Sequence, residues 1–316
     1  MLQPPEVGHA AEPAGEAAHA APEAFNAGEV IIGHVANTPI DHPLIHLPTV
    51  AGIDLSVTKH VFMLWVVAAV VFLLVTVSVR RYLRQDRLVP SGFMNALEFV
   101  VVFVRDSIIE PNVGRKWVNT WTPLLLTLAL FILTANLVGL IPIFDLLALL
   151  NHTVIHAPED SFFTQVTHGG VTATGNFNVT AALATISFFA IIIAGARAHG
   201  FVQHWKNMVP HGLPLPVTLM LIPIEIMGMF VRPFALTMRL AANMSGGHIA
   251  ILAILSFVFI FNGLYGAIAG IGIGALSTLL LAVPISLLEI IVVGVQAYVF
   301  TLLTAVFIGM AIHAHH

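Results

Sequence analysis

Six polar side chains near the end of this sequence lie among residues that are otherwise almost all apolar. They are Glu225, Arg239, Asn243, His248, Glu289 and Gln296. An ionisable residue at the centre of a membrane helix costs about 2.5–3.5 kcal/mol, so the four ionisable ones together need roughly 10 kcal/mol of compensation. Pairing, water or function can supply it. Arginine keeps its proton, whereas imidazole and carboxylate can exchange theirs near neutral pH, so the set holds one permanent charge and several groups that can change charge.

Helical spacing separates these residues into layers. Arg239 and Asn243 are four residues apart and share one face of a helix. Glu225, fourteen residues before Arg239, shares that face if the helix is continuous, so it is a candidate partner for the arginine. His248 follows Arg239 by nine residues, which places it about half a turn out of phase and roughly 13 Å further along the axis.

A hairpin within residues 234–311 would bring the polar residues of two helices together. In an antiparallel arrangement, Arg239 lies level with Gln296, and His248 lies level with Glu289. Both pairs have their midpoint in the glycine-rich stretch GAIAGIGIG, where glycine permits a turn. We therefore predict an arginine–amide contact and a separate His/Glu layer, with the turn near residue 268.

Composition identifies the class of protein. Of the 316 residues, 58% are hydrophobic and only 9% are charged, whereas soluble domains have about 25% charged residues. The pattern predicts an all-α polytopic membrane protein with five to six membrane helices. The predicted spans are about 61–79, 122–143, 177–196, 215–231, 234–265 and 275–311. The fourth is short and contains Pro223, so it is predicted to be interfacial or steeply tilted.

The chain divides into an N-terminal extension and a membrane domain. Residues 1–50 form an Ala/Pro/His-rich extension that we expect to be mobile, and residues 51–316 form the membrane domain. Within that domain, 91–110 is predicted to be an amphipathic surface helix and 144–176 an outer loop. The irregular spacing of His9, His19, His34, His42 and His46 favours low complexity over a metal site.

The basic residues predict the orientation. The loop 80–121 carries seven Lys and Arg residues and the loop 197–214 carries two, whereas 144–176 carries none. By the positive-inside rule, the two basic loops are cytoplasmic and the N-terminus is outside. Five crossings then leave the C-terminus in the cytoplasm, and the expected location is the cell (inner) membrane.

Three segments resemble subunit a of F-type ATP synthases. They are MRLAANMSGGHIAI, LLEIIVVGVQAYVFTLLTAVFIGMA and the earlier ANLVGLIP, and the resemblance covers roughly residues 52–312. It implies a proton-translocating subunit of the membrane sector that is not an enzyme by itself, since ATP chemistry is on other subunits. Two half-channels would meet a rotating ring of c subunits at a long, tilted hairpin, coupling proton flow to ring rotation and ATP synthesis.

The resemblance also implies residue roles. Arg239 would be the essential cation between the half-channels. His248, Glu289 and Gln296 would line the outer half-channel, and Glu225 would serve the cytoplasmic exit. Asn243 and Gln296 would position Arg239 or hold water.

The implied partners are the c-subunit ring, the peripheral-stalk b subunits, other ATP synthase subunits, protons and the lipid bilayer. No cofactor, metal or nucleic acid is expected, and the His/Glu layer favours protons over sodium. Two alternatives remain at this point. One is an autonomous ion-coupled transporter, suggested by a helix broken near Pro223 and by the buried acids. The other is a non-conducting assembly protein, whose buried charges would tolerate neutral substitutions.

Overall fold

The computed structural model describes most of the membrane domain. The described residues are 43–49, 56–84, 89–141, 143–158, 172–206 and 214–313, with 26, 28, 32, 54, 161, 164 and 166. Most of the predicted extension 1–50, including His9, His19, His34 and His42, lies outside them, as does much of the predicted outer loop. Most of the described residues are helical, and one β-bridge joins Ile45 and Val57.

The described residues form ten α-helices, and nine of them, all but the four-residue helix Glu110–Val113, are numbered here in order. They are α1 Lys59–Leu83, α2 Phe93–Val102, α3 Val118–Leu140, α4 Ile143–Leu150, α5 Phe177–His199, α6 Phe201–Lys206, α7 Leu215–Tyr265, α8 Ala267–Ser277 and α9 Val283–Ile312. The π-helical turn Thr278–Ala282 joins α8 to α9, and the 3-10 turn Ala173–Gly175 precedes α5. Among the described residues, five helical stretches are long and apolar enough to cross a membrane: α1, α3, α5, α7 and the combined α8–α9.

Helix α7 corrects one prediction. The predicted separate spans 215–231 and 234–265 are one continuous helix of 51 residues, with Pro223 and Pro233 in its interior. Membrane helices tolerate proline because nearby groups satisfy the freed backbone carbonyl. The prediction of a broken helix, which suggested a transporter, is therefore wrong, and the described residues contain five candidate spans.

The length of α7 determines how it can lie in a bilayer. At 1.5 Å per residue it is about 75 Å long, more than twice the roughly 30 Å of hydrocarbon. It must lie strongly inclined or extend beyond the hydrocarbon at one end. A long helix of this kind presents an extended side surface to its surroundings instead of a simple perpendicular crossing.

The turn of the hairpin is where the sequence predicted it. Gly266, between α7 and α8, has a φ of 85°, which L-residues with side chains rarely adopt. Beyond the turn, a Cβ atom added at Gly270 would lie 2.6 Å from Cα of Asn262, and one at Gly274 would lie 3.0 Å from Cβ of Val258. The absence of side chains at these glycines therefore lets the two arms of the hairpin pack closely.

Apolar contacts with α3 and α5 fix the rotation of the hairpin. Leu236 and Leu240 of α7 are 2% and 0% exposed, and they pack in one cluster with Ile132 of α3, Leu183 of α5 and Phe300 of α9. Because Leu236 and Leu240 are one turn apart, this cluster pins one face of α7 against the bundle. Ala235, Arg239, Ala242 and Gly246 lie on another face of α7 and are exposed.

The predicted surface segment 91–110 is helical but is also part of the core. A π-helical turn Phe103–Ile109 and a short helix Glu110–Val113 continue α2. Ile108, Ile109 and Val113 are at most 1% exposed and pack against α3 and α9. The segment is therefore anchored to the bundle through these apolar side chains.

The cysteine-free sequence allows a direct test of the hairpin. We expect the double variant Val258→Cys/Gly274→Cys to form a disulfide on mild oxidation, since the two Cβ positions need to separate by less than about 1 Å to reach disulfide geometry. Thiol alkylation followed by a mass-shift assay would measure it. The control is Val258→Cys/Gly272→Cys, because nothing lies within 4 Å of a Cβ at Gly272. Free thiols in the first variant would contradict the hairpin.

Candidate functional site

A short segment before α5, residues 172–175, reaches into the bundle and is called the strap here. Thr174 Oγ1 donates a hydrogen bond to Oδ1 of Asn136 in α3 at 2.5 Å, and both residues are fully buried. Gly139, one turn further along α3, makes room for Thr172, since an added Cβ would lie 2.2 Å from its Oγ1. Asn136 and Gly139 of the ANLVGLIP segment thus form the seat of the strap.

The strap connects α3 to the polar residues of α7. The Ser245 hydroxyl donates to the carbonyl oxygen of Gly175 at 3.1 Å. Thr172 Oγ1 and Nε2 of His248 are hydrogen-bonded at 2.6 Å. One edge of the His248 ring is therefore held by the strap, and the other edge is left for a second partner.

That second partner is the carboxylate of Glu289. Nδ1 of His248 lies 3.7 Å from Oε1 of Glu289, so the predicted contact across the hairpin is confirmed. Glu289 is 3% exposed, and neither of its carboxylate oxygens has a hydrogen-bond partner among the described residues. The carboxylate lies against Gly247, where a Cβ would be 2.6 Å from Oε1. A buried carboxylate with one nearby imidazole can be neutralised by a single proton transfer.

The predicted contact of Arg239 with Gln296 is wrong. Oε1 of Gln296 instead accepts a hydrogen bond from Nδ2 of Asn243 at 3.0 Å, one turn further along α7. The reason is rotational: the buried Leu236 and Leu240 turn the Arg239 position away from α9. The layer below His248 and Glu289 is therefore a pair of neutral amides.

Arg239 is exposed, and the structure gives its side chain no hydrogen bond or ion pair with any described residue. Its neighbours on the same face, Ala235, Ala242 and Gly246, are small and also exposed. Nothing lies within 4 Å of a Cβ built at Gly246. The guanidinium thus stands on an open stripe of small residues, about half a turn around α7 from His248.

Glu225 has a different partner from the one that spacing suggested. Its Oε1 accepts from Nη2 of Arg232 at 3.3 Å, and the Arg232 guanidinium lies 5.4 Å from the centre of the Phe307 ring. Both side chains of the pair are about one-third exposed. Glu225 therefore neither neutralises Arg239 nor joins the His248–Glu289 contact, and it forms a second polar group further toward the start of α7.

Sequence reasoning missed the hydroxyl residues of this site. Thr172, Thr174 and Ser245 carry no charge, and threonine and serine in apolar helices usually bond their own backbone. Asn136 was singled out only as part of a motif. The strap follows a long non-spanning segment, so no periodicity indicated where its residues would dock.

The assembled site can do two things chemically. Thr172, His248 and Glu289 form a row in which Thr172 and Glu289 are buried and His248 is 29% exposed, and the imidazole and the carboxylate can exchange a proton. On the opposite face of the same helix, Arg239 presents a permanent positive charge without a partner in the described chain. An acid supplied from outside the chain would be attracted to that charge.

Comparisons with known proteins match most of the chain to one family. The family described as "ATP synthase A chain" matches residues 61–309. The chain is 37% identical to "ATP synthase subunit a 2" of Chlorobium luteolum, over 96% of this chain and 82% of the relative. It is 36% identical to "ATP synthase subunit a" of Chlorobium phaeobacteroides, over 98% and 83%, and 36% identical to that of Chloroherpeton thalassium, over 86% and 72%.

Gly247 is a position where the site tolerates little added volume, because Glu289 occupies the space beside it. Gly247→Ala is expected to push the Glu289 carboxylate from its place and to destabilise the subunit by about 1–3 kcal/mol, the usual cost of overpacking. The thermal unfolding midpoint of the purified subunit in detergent measures it. Gly246→Ala is the matched control, with no loss expected because that position is open. Equal losses in both variants would contradict the packing described.

Proposed function

The chain belongs to the ATP synthase A chain family, and from that premise we propose how its residues carry protons. As a member, it is a non-catalytic, proton-translocating membrane subunit of the ATP synthase complex. One observation supports the assignment of roles. The exposed Arg239 and His248, which contacts the buried Glu289, lie on opposite faces of one helix. The helix thus holds a fixed charge and a proton-exchanging group near each other without letting them touch.

Arg239 faces the c-subunit ring in this proposal. A cation on an apolar membrane helix costs about 2.5–3.5 kcal/mol unless it is paired or hydrated. The structure gives it no partner within the described chain, so a carboxylate from a neighbouring subunit is the natural one. Ala235, Ala242 and Gly246 leave room beside it for a second helix to approach closely.

The permanence of the charge explains why arginine suits this position. A guanidinium stays protonated, so it attracts an ionised carboxylate without relaying a proton itself. A lysine in the same surroundings can lose its proton. Each proton that crosses releases about 2.3 kcal/mol per 100 mV of membrane potential. A fixed cation between two aqueous half-channels prevents that energy from being lost through a direct leak.

His248 and Glu289 form the proton-exchanging part of the outer half-channel. Nδ1 and the carboxylate face each other at 3.7 Å, a gap that one bridging water or a small movement of either side chain closes for proton transfer. Asn243 and Gln296 continue this polar row as neutral amides that can hold water. The imidazole favours protons over sodium as the transported ion.

Glu225 and its partner Arg232 form the exit on the cytoplasmic side. Glu225 lies on the part of α7 nearest the basic loop 197–214, which the positive-inside rule assigns to the cytoplasm. In this orientation the N-terminus is outside, the C-terminus is cytoplasmic, and the protein spans the cell (inner) membrane. The carboxylate, which is about one-third exposed, can accept a proton from the ring and pass it to water.

The other proposed partners are the peripheral-stalk b subunits and the remaining ATP synthase subunits. The surface of helix α1 favours an additional membrane partner, because only 11% of its most apolar 18-residue stretch is buried within the chain. Trp65, Phe72 and Leu73 are exposed there. Lipid and the membrane segment of a b subunit are the proposed neighbours of this surface.

Arg239→Ala is expected to abolish ATP-driven proton pumping in membrane vesicles that contain the assembled complex, and Arg239→Lys to impair it severely. Quenching of a pH-sensitive dye measures pumping, and co-purification of the ring verifies assembly. The control is Arg115→Ala, since the Arg115 side chain is 92% exposed in an ion pair with Glu110. Normal pumping by an assembled Arg239→Ala complex would refute the role of the arginine.

The stripe of small residues beside Arg239, formed by Ala235, Ala242 and Gly246, can be tested separately. Gly246→Trp is expected to leave the thermal stability of the isolated subunit unchanged, because the position is open within the chain, but to reduce co-purification of the c ring. Gly263→Trp, at an equally open position on a different face of α7, is the control and should retain the ring. If both variants hold the ring equally well, this face of α7 does not contact it.

A further inference from the structure

Thr172 makes the shortest polar contact to His248, and its setting suggests more than packing. It is 5% exposed and its Oγ1 lies 2.6 Å from Nε2 of His248, 76 positions away in the chain. Its side chain occupies the space left by Gly139. The strap is held in turn by the bonds of Thr174 to Asn136 and of Ser245 to Gly175.

Other threonine hydroxyls in the membrane helices behave differently. The hydroxyl of Thr301 donates to the carbonyl oxygen of Ala297 at 2.8 Å, and that of Thr237 donates to Pro233 at 2.9 Å. Each of these bonds satisfies the hydroxyl within its own helix. Thr172 lies outside any helix and directs its hydroxyl at a titratable side chain instead.

A hydroxyl is suited to an imidazole that changes protonation state. In the tautomer with the proton on Nδ1, Nε2 is an acceptor and the hydroxyl can donate to it. In the other tautomer and in the imidazolium, Nε2 carries a proton, and the hydroxyl oxygen can accept a hydrogen bond from this N–H group. Thr172 can therefore keep its hydrogen bond to His248 in every state, and the ring need not turn when a proton arrives or leaves.

We infer that Thr172 is a positioning residue for proton transfer, which keeps Nδ1 of His248 turned toward Glu289 in each protonation state of the ring. The transfer itself moves one proton between Nδ1 and a carboxylate oxygen of Glu289, with no other bond formed or broken. This inference rests on the proposed role of His248 and Glu289 in the outer half-channel. It adds the residue that holds their geometry.

The elements around His248 supply few other charged groups. On the facing arm of the hairpin, Glu289 is the ionisable residue beside it. The strap itself carries none, and α1, which packs against the strap, begins with the buried Lys59 and His60. A change in the pH dependence of conduction on altering Thr172 is therefore attributable to the His248–Glu289 pair.

The test uses the complete ATP synthase in membrane vesicles. Thr172→Val keeps the shape of the side chain and removes the hydroxyl, and we expect ATP-driven pumping to fall about five-fold, the equivalent of one ordinary hydrogen bond. We also expect the pH dependence of the rate to shift. Thr172→Ser restores the hydroxyl and should return the rate to within about two-fold of the original. Thr301→Val removes a hydroxyl bonded within its own helix and should have no effect.

A second variant disturbs the same contact without changing Thr172. Gly139→Ala adds a methyl group that must displace the Thr172 side chain. It should lower pumping to a similar extent, and Gly139→Ala/Thr172→Val should be no slower than the slower single variant, because both remove one shared interaction. Additive losses would indicate independent packing defects and overturn the inference.

The outcomes separate this inference from the function on which it rests. Glu289→Gln removes the carboxylate and should abolish pumping; unaffected pumping in that variant would refute the proposed half-channel. If Glu289→Gln abolishes pumping but Thr172→Val retains the original rate and pH dependence, the inference about Thr172 is wrong and the half-channel stands. If Thr172→Ser is as impaired as Thr172→Val, the hydroxyl is not the operative group.

Discussion

A guanidinium without a hydrogen-bond or ion-pair partner among the described residues, on a largely apolar membrane helix, is the constraint on which the rest of this structure depends. The buried Leu236 and Leu240 hold α7 so that Arg239 points away from the bundle. The energetic cost of that placement is met only by a neighbour outside the chain or by water. Three features present this one charge on an accessible surface. They are the tight hairpin, the continuous α7 and the small residues around Arg239.

The buried side of the same helix has a different design. His248 lies between a hydroxyl at 2.6 Å and a carboxylate at 3.7 Å, and each comes from a separate part of the chain. The glycines at 139 and 247 are necessary here because side chains of Thr172 and Glu289 occupy the space where their Cβ atoms would be. An imidazole–carboxylate contact on one face and a cation on the other are thus carried by a single continuous helix.

Much of this could be predicted from the sequence, and the failures have physical causes. Hydropathy identified the spans, and helical spacing with one glycine-rich turn identified the His248–Glu289 contact. Spacing could not tell that Asn243, and not Arg239, would meet Gln296, because the rotation of α7 depends on apolar packing against α3 and α5. Pro223 suggested a break that the membrane helix does not have. The position of the strap could not be predicted, since its docking depends on contacts between residues distant in sequence.

The proposed role of Arg239 depends most directly on whether the face of α7 that carries it contacts the c ring. Ala242→Cys lies on that face, and Phe234→Cys is exposed on another face close by. In the assembled complex, with a second cysteine beside the membrane carboxylate of a c subunit, oxidation should link Ala242→Cys to the ring and leave Phe234→Cys free. Linkage of Phe234→Cys alone would contradict the account.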